Sequence, residues 1–358
     1  MEIKKVAVLF GGKSPEHEVS VDSAQTICGL LVSDGIEPVP VYISRAGIWY
    51  HVPAERFIRE KNTEGTVIEP NFENKCFRAA SGELIKPQVC FPIVHGTTGE
   101  DGVLQGLLEL LEIPYVGAGV TASAVGMDKI ISKILAERAG IPVLPQVLVR
   151  EYDRKRAAEK AEEADALGYP LFVKPAAQGS SVGVTKVKTK ADILPAVEKA
   201  FRFDNNVIIE KGVDMAREIV CAVLGTPSEA EACLPGEVAP QGKHEFYDYE
   251  SKYTDENGMK LFIPAPVGAD ISGKVREWSV KIFLALGISG FARADFLMDR
   301  KTGEVWFCEV NTLPGFTSHS LYPKLWAKAG TSPREIIMRL LRAAAERREQ
   351  RSRLSIVK

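Results

Sequence analysis

Short apolar runs alternate with amphipathic stretches along the first 130 or so residues. Val6-Ala7-Val8-Leu9-Phe10 is continuously apolar and stops at Gly11-Gly12, the mark of a strand buried on both faces. A helical pattern covers about residues 19–33 and ends at Asp34-Gly35, where Gly35 can cap it. Strand-like runs return at 39–43 and 89–94. From Val103 the apolar positions 103, 107, 110 and 111 fall on one helix face. Strands alternating with helices predict a parallel sheet flanked by helices over residues 1–127. Between 43 and 88 the pattern is poor and polar, and it reads as a surface insertion.

A second unit is expected over 128–211: a helix at 128–139, a charged helix at 152–167, and two strands around a glycine loop. The run of Glu159, Lys160, Glu162 and Glu163 reads as a solvated helix face. The third unit, 212–358, is richer in strands and closes with a helix opened by Ser332-Pro333, an N-cap followed by a first-turn proline. Its last arginines, 347, 348, 351 and 353, read as a frayed, solvated helix end. The predicted fold class is α/β, grading into α+β in the last two of three domains.

Composition adds constraints. With 358 residues, 45% of them hydrophobic, the chain can bury a core in each unit. A net charge of −2 gives no reason to expect nucleic acid or an anionic membrane as partner. The six cysteines form no C-x-x-C pair, so free thiols in a reducing compartment are expected. No apolar run reaches the ~20 residues that span a bilayer. Met1-Glu2-Ile3-Lys4-Lys5 leads directly into strand-like sequence, without the apolar stretch of a signal peptide. The cytoplasm is the expected location.

Two motifs mislead. Gly12-Lys13-Ser14 resembles the end of a P-loop, but that motif needs a glycine where Ala7 stands. Gly117-Ala118-Gly119 fits a loose dinucleotide fingerprint without the acidic partner a dehydrogenase would need.

Four other segments carry chemistry. Residues 291–296 and 305–311 read as two strands joined by a turn at 299–303. With a period of two, Arg293 and Asp295 share one face, and Glu309 and Asn311 share a face on the partner strand. Cys308 is expected on the opposite face. Two carboxylates and an amide are hard ligands suited to Mg²⁺, although a solvated face with a surface ion pair reads equally well. Lys174 opens a glycine- and serine-rich loop, 174–183, of a kind that lies over phosphates. Residues 207–213 form a strand running into a polar linker. After Asn311 comes a loop of Pro, Gly and hydroxyl residues, in which the Gly315 N–H could face a developing negative oxygen.

These segments occur in series, and their order resembles the ATP-grasp superfamily. The stretches 11–20, 95–102, 246–253 and 311–320 narrow the likeness to the D-alanine–D-alanine ligases, over nearly the whole chain. The resemblance implies ATP and D-alanine as substrates, and two Mg²⁺ ions, or Mn²⁺, held by Asp295, Glu309 and Asn311. It implies that Lys129 and Lys174 contact the phosphates, that Ser180 and Ser181 close over them, that Glu210, Lys211 and Val213 bind adenine, and that Glu218 binds the ribose. Glu16 would hold the first ammonium, with His95 near the substrates. Arg293 and the Gly315 N–H would stabilise the oxyanion, and Ser320, aided by Lys252, would receive the second carboxylate. Ser180 and Tyr253 would lock a lid at 243–260. The expected assembly is a homodimer. A D-alanine–D-lactate ligase and a non-catalytic nucleotide-binding module are the alternatives.

Overall fold

The computed structural model describes residues 2–240 and 259–354. Lys252, Tyr253 and most of the expected lid lie outside those residues.

The first sheet is built from β1 (Lys5–Gly11), β2 (Glu37–Ile43), β3 (Trp49–His51), β4 (Thr66–Asn71), β5 (Cys76–Ala79), β6 (Leu84–Ile85) and β7 (Val89–Pro92). Their order is β6-β5-β4-β3-β2-β1-β7. The apolar run at β1 sits between β2 and β7, parallel to both, and is covered on both faces. Helix α1 (His17–Ser33) packs on β1 and β2.

The expectation for residues 43–88 needs correction. They are not a surface insertion: β3 to β6 extend the sheet in antiparallel fashion and, with α2 (Ala54–Glu60), bury Phe57, Ile68, Phe77 and Ile85. The strands are two to six residues long and partly exposed, as the outward Thr66, Val67 and Glu69 of β4 show. Such strands leave too few alternations for a period to register. The first sheet is therefore mixed rather than parallel.

Helices α3 (Val103–Leu110), α4 (Val120–Met127) and α5 (Lys129–Arg138) follow. The central sheet, β8 (Gln146–Arg150), β9 (Leu171–Pro175), β10 (Thr185–Val187) and β11 (Asn206–Lys211), is antiparallel in the order β10-β9-β11-β8. With α6 (Ala157–Asp165) and α7 (Ile193–Ala200) it encloses a core of its own, including Val173, Val187, Val197 and Ile209.

The third sheet holds β12 (Arg217–Gly225), β13 (Glu231–Ala232), β14 (Gly236–Pro240), β15 (Met259–Phe262), β16 (Gly290–Met298) and β17 (Val305–Asn311). Helices α8 (Ala269–Ala285), α9 (Leu321–Lys328) and α10 (Pro333–Ser352) complete it. One continuous core joins it to the first sheet, with Phe91 and Phe291 edge to face at 6.3 Å. Helix α5 precedes the central sheet in the chain, yet it packs on β17 and α8.

The closing arginines are only partly a solvated end: Arg353, paired with Glu349 on its own helix, is exposed, but the others reach across to the first domain. Arg347 donates to the Tyr115 carbonyl at 2.6 Å and lies 4.2 Å over the Tyr115 ring. Arg348 pairs with Glu112 and Arg351 with Glu109, each at 2.7 Å. These contacts fasten α10 to the segment after α3.

Candidate active site

A cleft of about 1030 Å³ opens where these units meet. Glu16, His95 and Lys129 line it from the N-terminal side, with Ser180 from the glycine loop. Arg293, Glu309, Asn311, Gly315 and Ser320 line it from the third sheet and the loop that follows. Lys174, Ser181, Glu210, Lys211, Val213, Glu218 and Asp295 do not form its wall.

Three helices begin at this cleft. Glu16 is the N-cap of α1, Lys129 is the first residue of α5, and Ser320 is the N-cap of α9. A helix start carries a partial positive charge, which favours anions, although on α5 the Asp128 carboxylate already accepts from the Ile130 and Ile131 N–H groups and the Ala176 carbonyl from that of Lys129. β1 delivers Glu16 through a tight turn: Gly11 has φ +91°, and a Cβ there would come 2.3 Å from the Ile43 carbonyl. His17 steadies the turn through Nδ1, 2.7 Å from the Gly12 carbonyl. On the far side, the Ser320 hydroxyl accepts from the Thr317 N–H at 3.0 Å. A Cβ on Gly315 would stand 2.9 Å from that hydroxyl and 3.9 Å from His95 Nε2, so only glycine leaves this wall open.

The β16–β17 hairpin forms as its alternation predicts, with Arg293 opposite Asn311 and Asp295 opposite Glu309. Arg293 grips Asp295 with a two-point fork, both contacts at 2.7 Å. Lys129 Nζ lies 3.0 Å from Glu309 Oε2 and donates to the Gln178 carbonyl at 2.7 Å. Burial would lower the Lys129 pKa, but the Glu309 carboxylate outweighs it and holds the ammonium above its usual range. Cations therefore already sit against both carboxylates. Asp295, Glu309 and Asn311 all offer oxygen donors, and each is engaged: Asp295 by Arg293, Glu309 by Lys129 and Asn311 Oδ1 by the Leu313 N–H. Among the described residues no cluster of three or more carboxylate, imidazole or thiol side chains forms. Oxygen donors of this kind suit a hard cation such as Mg²⁺, which takes its remaining ligands from phosphate and water.

Cys308 does not lie opposite Glu309, as strict alternation predicts. The register slips after Asp295, so that Phe296 faces Phe307 and Cys308 is the extra residue of a β-bulge. Phe307 keeps the core side, while Cys308 is half-buried among Lys174, Glu309, Lys133 and Asp295. All six cysteines are free, as expected.

In the glycine loop, Ser180 (φ 51°) and Ser181 (φ 59°) are both left-handed, an uncommon state for serine that strained functional loops retain. A Cβ on Gly179 would lie 3.8 Å from Glu16 Oε2, so the loop crosses onto that carboxylate. Beneath it, Lys174 Nζ is 2.5 Å from Glu210 Oε2. Lys211 turns away and donates to the Tyr169 carbonyl at 3.0 Å. Val213 lies in the linker after β11, and Glu218 on β12 faces Val238 and Leu297 across the sheet.

Two residues of this region escaped the sequence reading. Lys133, fully buried, pairs with the other oxygen of Glu210. Its signal was available: α5 buries Lys129 and Lys133, four residues apart, while exposing Ile131 and Ile134. A helix that hides its lysines and shows its isoleucines is serving a charge. Glu100 lines the cleft with its carboxylate on the Gly96 N–H at 2.7 Å. Burial, reinforced by the nearby Glu16, raises its pKa well above the usual carboxyl range. No spacing rule marks it. His95 is buried as well; its Nε2 has no hydrogen-bond partner among the described residues, and burial lowers its pKa against the pull of Glu16.

Such a cleft, with its lysine-led glycine loop and carboxylate hairpin, is that of an ATP-grasp enzyme. Residues 5–118 match the family model of the D-ala D-ala ligase N-terminus and residues 135–342 that of its C-terminus. The chain is 42% identical over 371 residues to a D-alanine–D-alanine ligase of Thermoanaerobacter sp. (strain X514), covering 99% of both. It is also 42% identical to D-alanine–D-alanine ligase A of Bradyrhizobium diazoefficiens, covering 98% of this chain and 97% of that one. Among solved structures, the D-alanine–D-alanine ligase of Coxiella burnetii superposes with a TM-score of 0.84 at 32% identity, covering 98% of this chain and 97% of that one. The VanG D-Ala:D-Ser ligase of Enterococcus faecalis gives 0.83 at 37%, covering 96% and 100%. The chain belongs to the D-alanine–D-alanine ligase family.

Proposed function

We propose that this enzyme joins two D-alanines into D-alanyl-D-alanine, a peptidoglycan precursor, while ATP is split to ADP and phosphate. The observation that carries this reading is the single cleft on which three helix N-termini, Glu16, Arg293 and Glu309 converge.

A carboxylate acylates poorly until its oxygen becomes a leaving group. Transfer of the γ-phosphoryl to the first D-alanine gives an acyl phosphate, a step that needs positioning and charge neutralisation more than covalent help. Lys129 and Lys174 supply charge to the phosphates, the Ser180–Ser181 loop covers them, and Glu210, Lys211, Val213 and Glu218 hold the adenosine. Asp295, Glu309 and Asn311 would hold two Mg²⁺ ions, or Mn²⁺, which would supply positive charge against the transferring phosphoryl group.

Glu16, at the head of α1, binds the first ammonium. The second amine then attacks the acyl carbon. Arg293, oriented by its fork to Asp295, and the Gly315 N–H stabilise the oxyanion. Ser320 at the head of α9 takes the second carboxylate, with Lys252 assisting and His95 beside the substrates. Water must be excluded from the acyl phosphate; we assign that to the 243–260 segment, locked by Tyr253 to Ser180. The separate core of the central sheet suits closure of one domain, about 128–211, over two others, about 1–127 and 212–358. The free thiols favour the cytoplasm, and the exposed Val103 and Leu110 of α3 favour a homodimer. No helix among the described residues is long and apolar enough to cross a membrane.

Mass spectrometry tests the reading: D-alanine and Mg·ATP should give dipeptide and ADP one for one. ADP without dipeptide would contradict it. A second reading, with D-serine as second substrate, is favoured by the likeness to the D-Ala:D-Ser ligase. A mixed D-alanine and D-serine incubation distinguishes the two by product mass.

A further inference from the structure

Two buried lysines share one carboxylate beneath the glycine loop. Glu210 on β11 gives one oxygen to Lys174 on β9, at 2.5 Å, and the other to Lys133 on α5. The side chain of Lys133 is 0% exposed and that of Glu210 is 2% exposed. Neither lines the cleft in this arrangement.

The charges facing Lys133 can be named. Glu210 and Lys174 come from the central sheet, Lys129 from its own helix, and Glu309 with the Cys308 thiol from β17. Lys129 already has Glu309 as partner. That leaves Glu210 between two lysines in a place where water does not reach, and a single carboxylate cannot balance both as ammonium groups. The missing negative charge is what a triphosphate brings.

We propose that Lys133 is a positioning residue for nucleotide binding: it shares Glu210 with Lys174, and it holds that carboxylate alone, as an ammonium, once Lys174 turns to the phosphates. In the nucleotide-free enzyme, burial, with the Lys174 charge adding to it, pushes the Lys133 pKa down to about 7. Lys133 is thus partly neutral near neutral pH. When Lys174 leaves Glu210 for a phosphate, Lys133 takes a proton from solvent, and the Glu210–Lys133 pair stays behind as a fixed support. No bond other than N–H is made. The inference rests on the proposal that this cleft binds ATP.

Calorimetry of the full-length enzyme with a non-hydrolysable analogue, Mg·AMP-PNP, tests it. Titrations at one pH in buffers of different ionisation enthalpy count the protons exchanged. The wild type should take up more protons than Lys133→Arg, whose guanidinium stays charged at every working pH, by up to about one per nucleotide. Wild-type affinity should fall as pH rises from about 7 to 9, by up to about tenfold per unit, and Lys133→Arg should flatten that profile. Lys133→Met should bind more weakly at every pH, with thermal melting as the check that it folds. Equal proton counts and parallel pH profiles in wild type and Lys133→Arg would overturn the role of Lys133 and leave the ligase reading intact. A wild type that binds no Mg·AMP-PNP would instead overturn the ligase reading.

Discussion

Asp295 and Glu309 face each other in register, each already held by a cation from this chain. Replacing either by its amide leaves volume nearly unchanged but removes a charge that phosphate chemistry needs, and at Asp295 it also removes one acceptor of the Arg293 fork. Loss of an outer-shell partner of a metal typically costs ~10–100-fold, so a ligand should cost at least about a hundredfold. Asp295→Asn and Glu309→Gln should lose that much Mg²⁺-dependent turnover while melting within a few degrees of the wild type. Normal turnover in either would refute the metal assignment. Glu100 makes a different residue-scale prediction. Its folded pKa lies above the unfolded value of about 4.3. The stability linked to it is fully present below the unfolded value and is lost as pH rises through the folded one. Glu100→Gln should therefore melt higher than the wild type at pH 8, and that advantage should vanish near pH 4. An advantage that does not change with pH would assign the effect to packing rather than charge. Residues such as Glu16 and Glu309 were legible because strings of neighbours mark them. Glu100 and Lys133 act through burial, which one-dimensional spacing does not report.

At the scale of elements, legibility followed length and regularity. The β1 run and the β16–β17 hairpin were readable because period and burial agree along them. The 43–88 strands were not, since each is too short to show a period. The bulge at Cys308 shows the limit differently. One extra residue moves a side chain to the other face, and nothing in Val305-Trp306-Phe307-Cys308-Glu309 announces where the slip falls. The consequence is testable. A core cysteine changed to serine would lose stability through a buried hydroxyl. Cys308 stands instead among Lys174, Lys133 and Glu309, where a hydroxyl finds polar neighbours. Cys308→Ser should therefore melt within about one degree of the wild type, a shift corresponding to under about 1 kcal/mol in a chain this long. Denaturation by scanning calorimetry checks this; a drop of about three degrees or more, the cost of a buried hydroxyl, would return Cys308 to the core.

The whole molecule divides unequally: the first and third sheets share one core, and the central sheet keeps its own. The sequence showed three units in order but not which two fuse, because that depends on contacts such as Phe91 with Phe291 across 200 residues. Arg347 is part of the same fusion, stacked on Tyr115 and bonded to its carbonyl at 2.6 Å. Charged hydrogen bonds of this kind are each worth about 1.5–3 kcal/mol. Arg347→Ala should lower stability by about that much in urea while leaving the cleft's substrate affinities unchanged; no loss would mean the arginine only decorates the surface. The cleft that this frame supports is the centre of the account, and its most direct test is phosphate release from Mg·ATP with D-alanine or L-alanine as sole amino acid. In the roles proposed for Glu16, Arg293 and Ser320, these residues would fix three points around the reacting carbon, so D-alanine should trigger release and L-alanine should leave ATP at its background rate. Equal release with the two enantiomers, or none with D-alanine, would contradict the account.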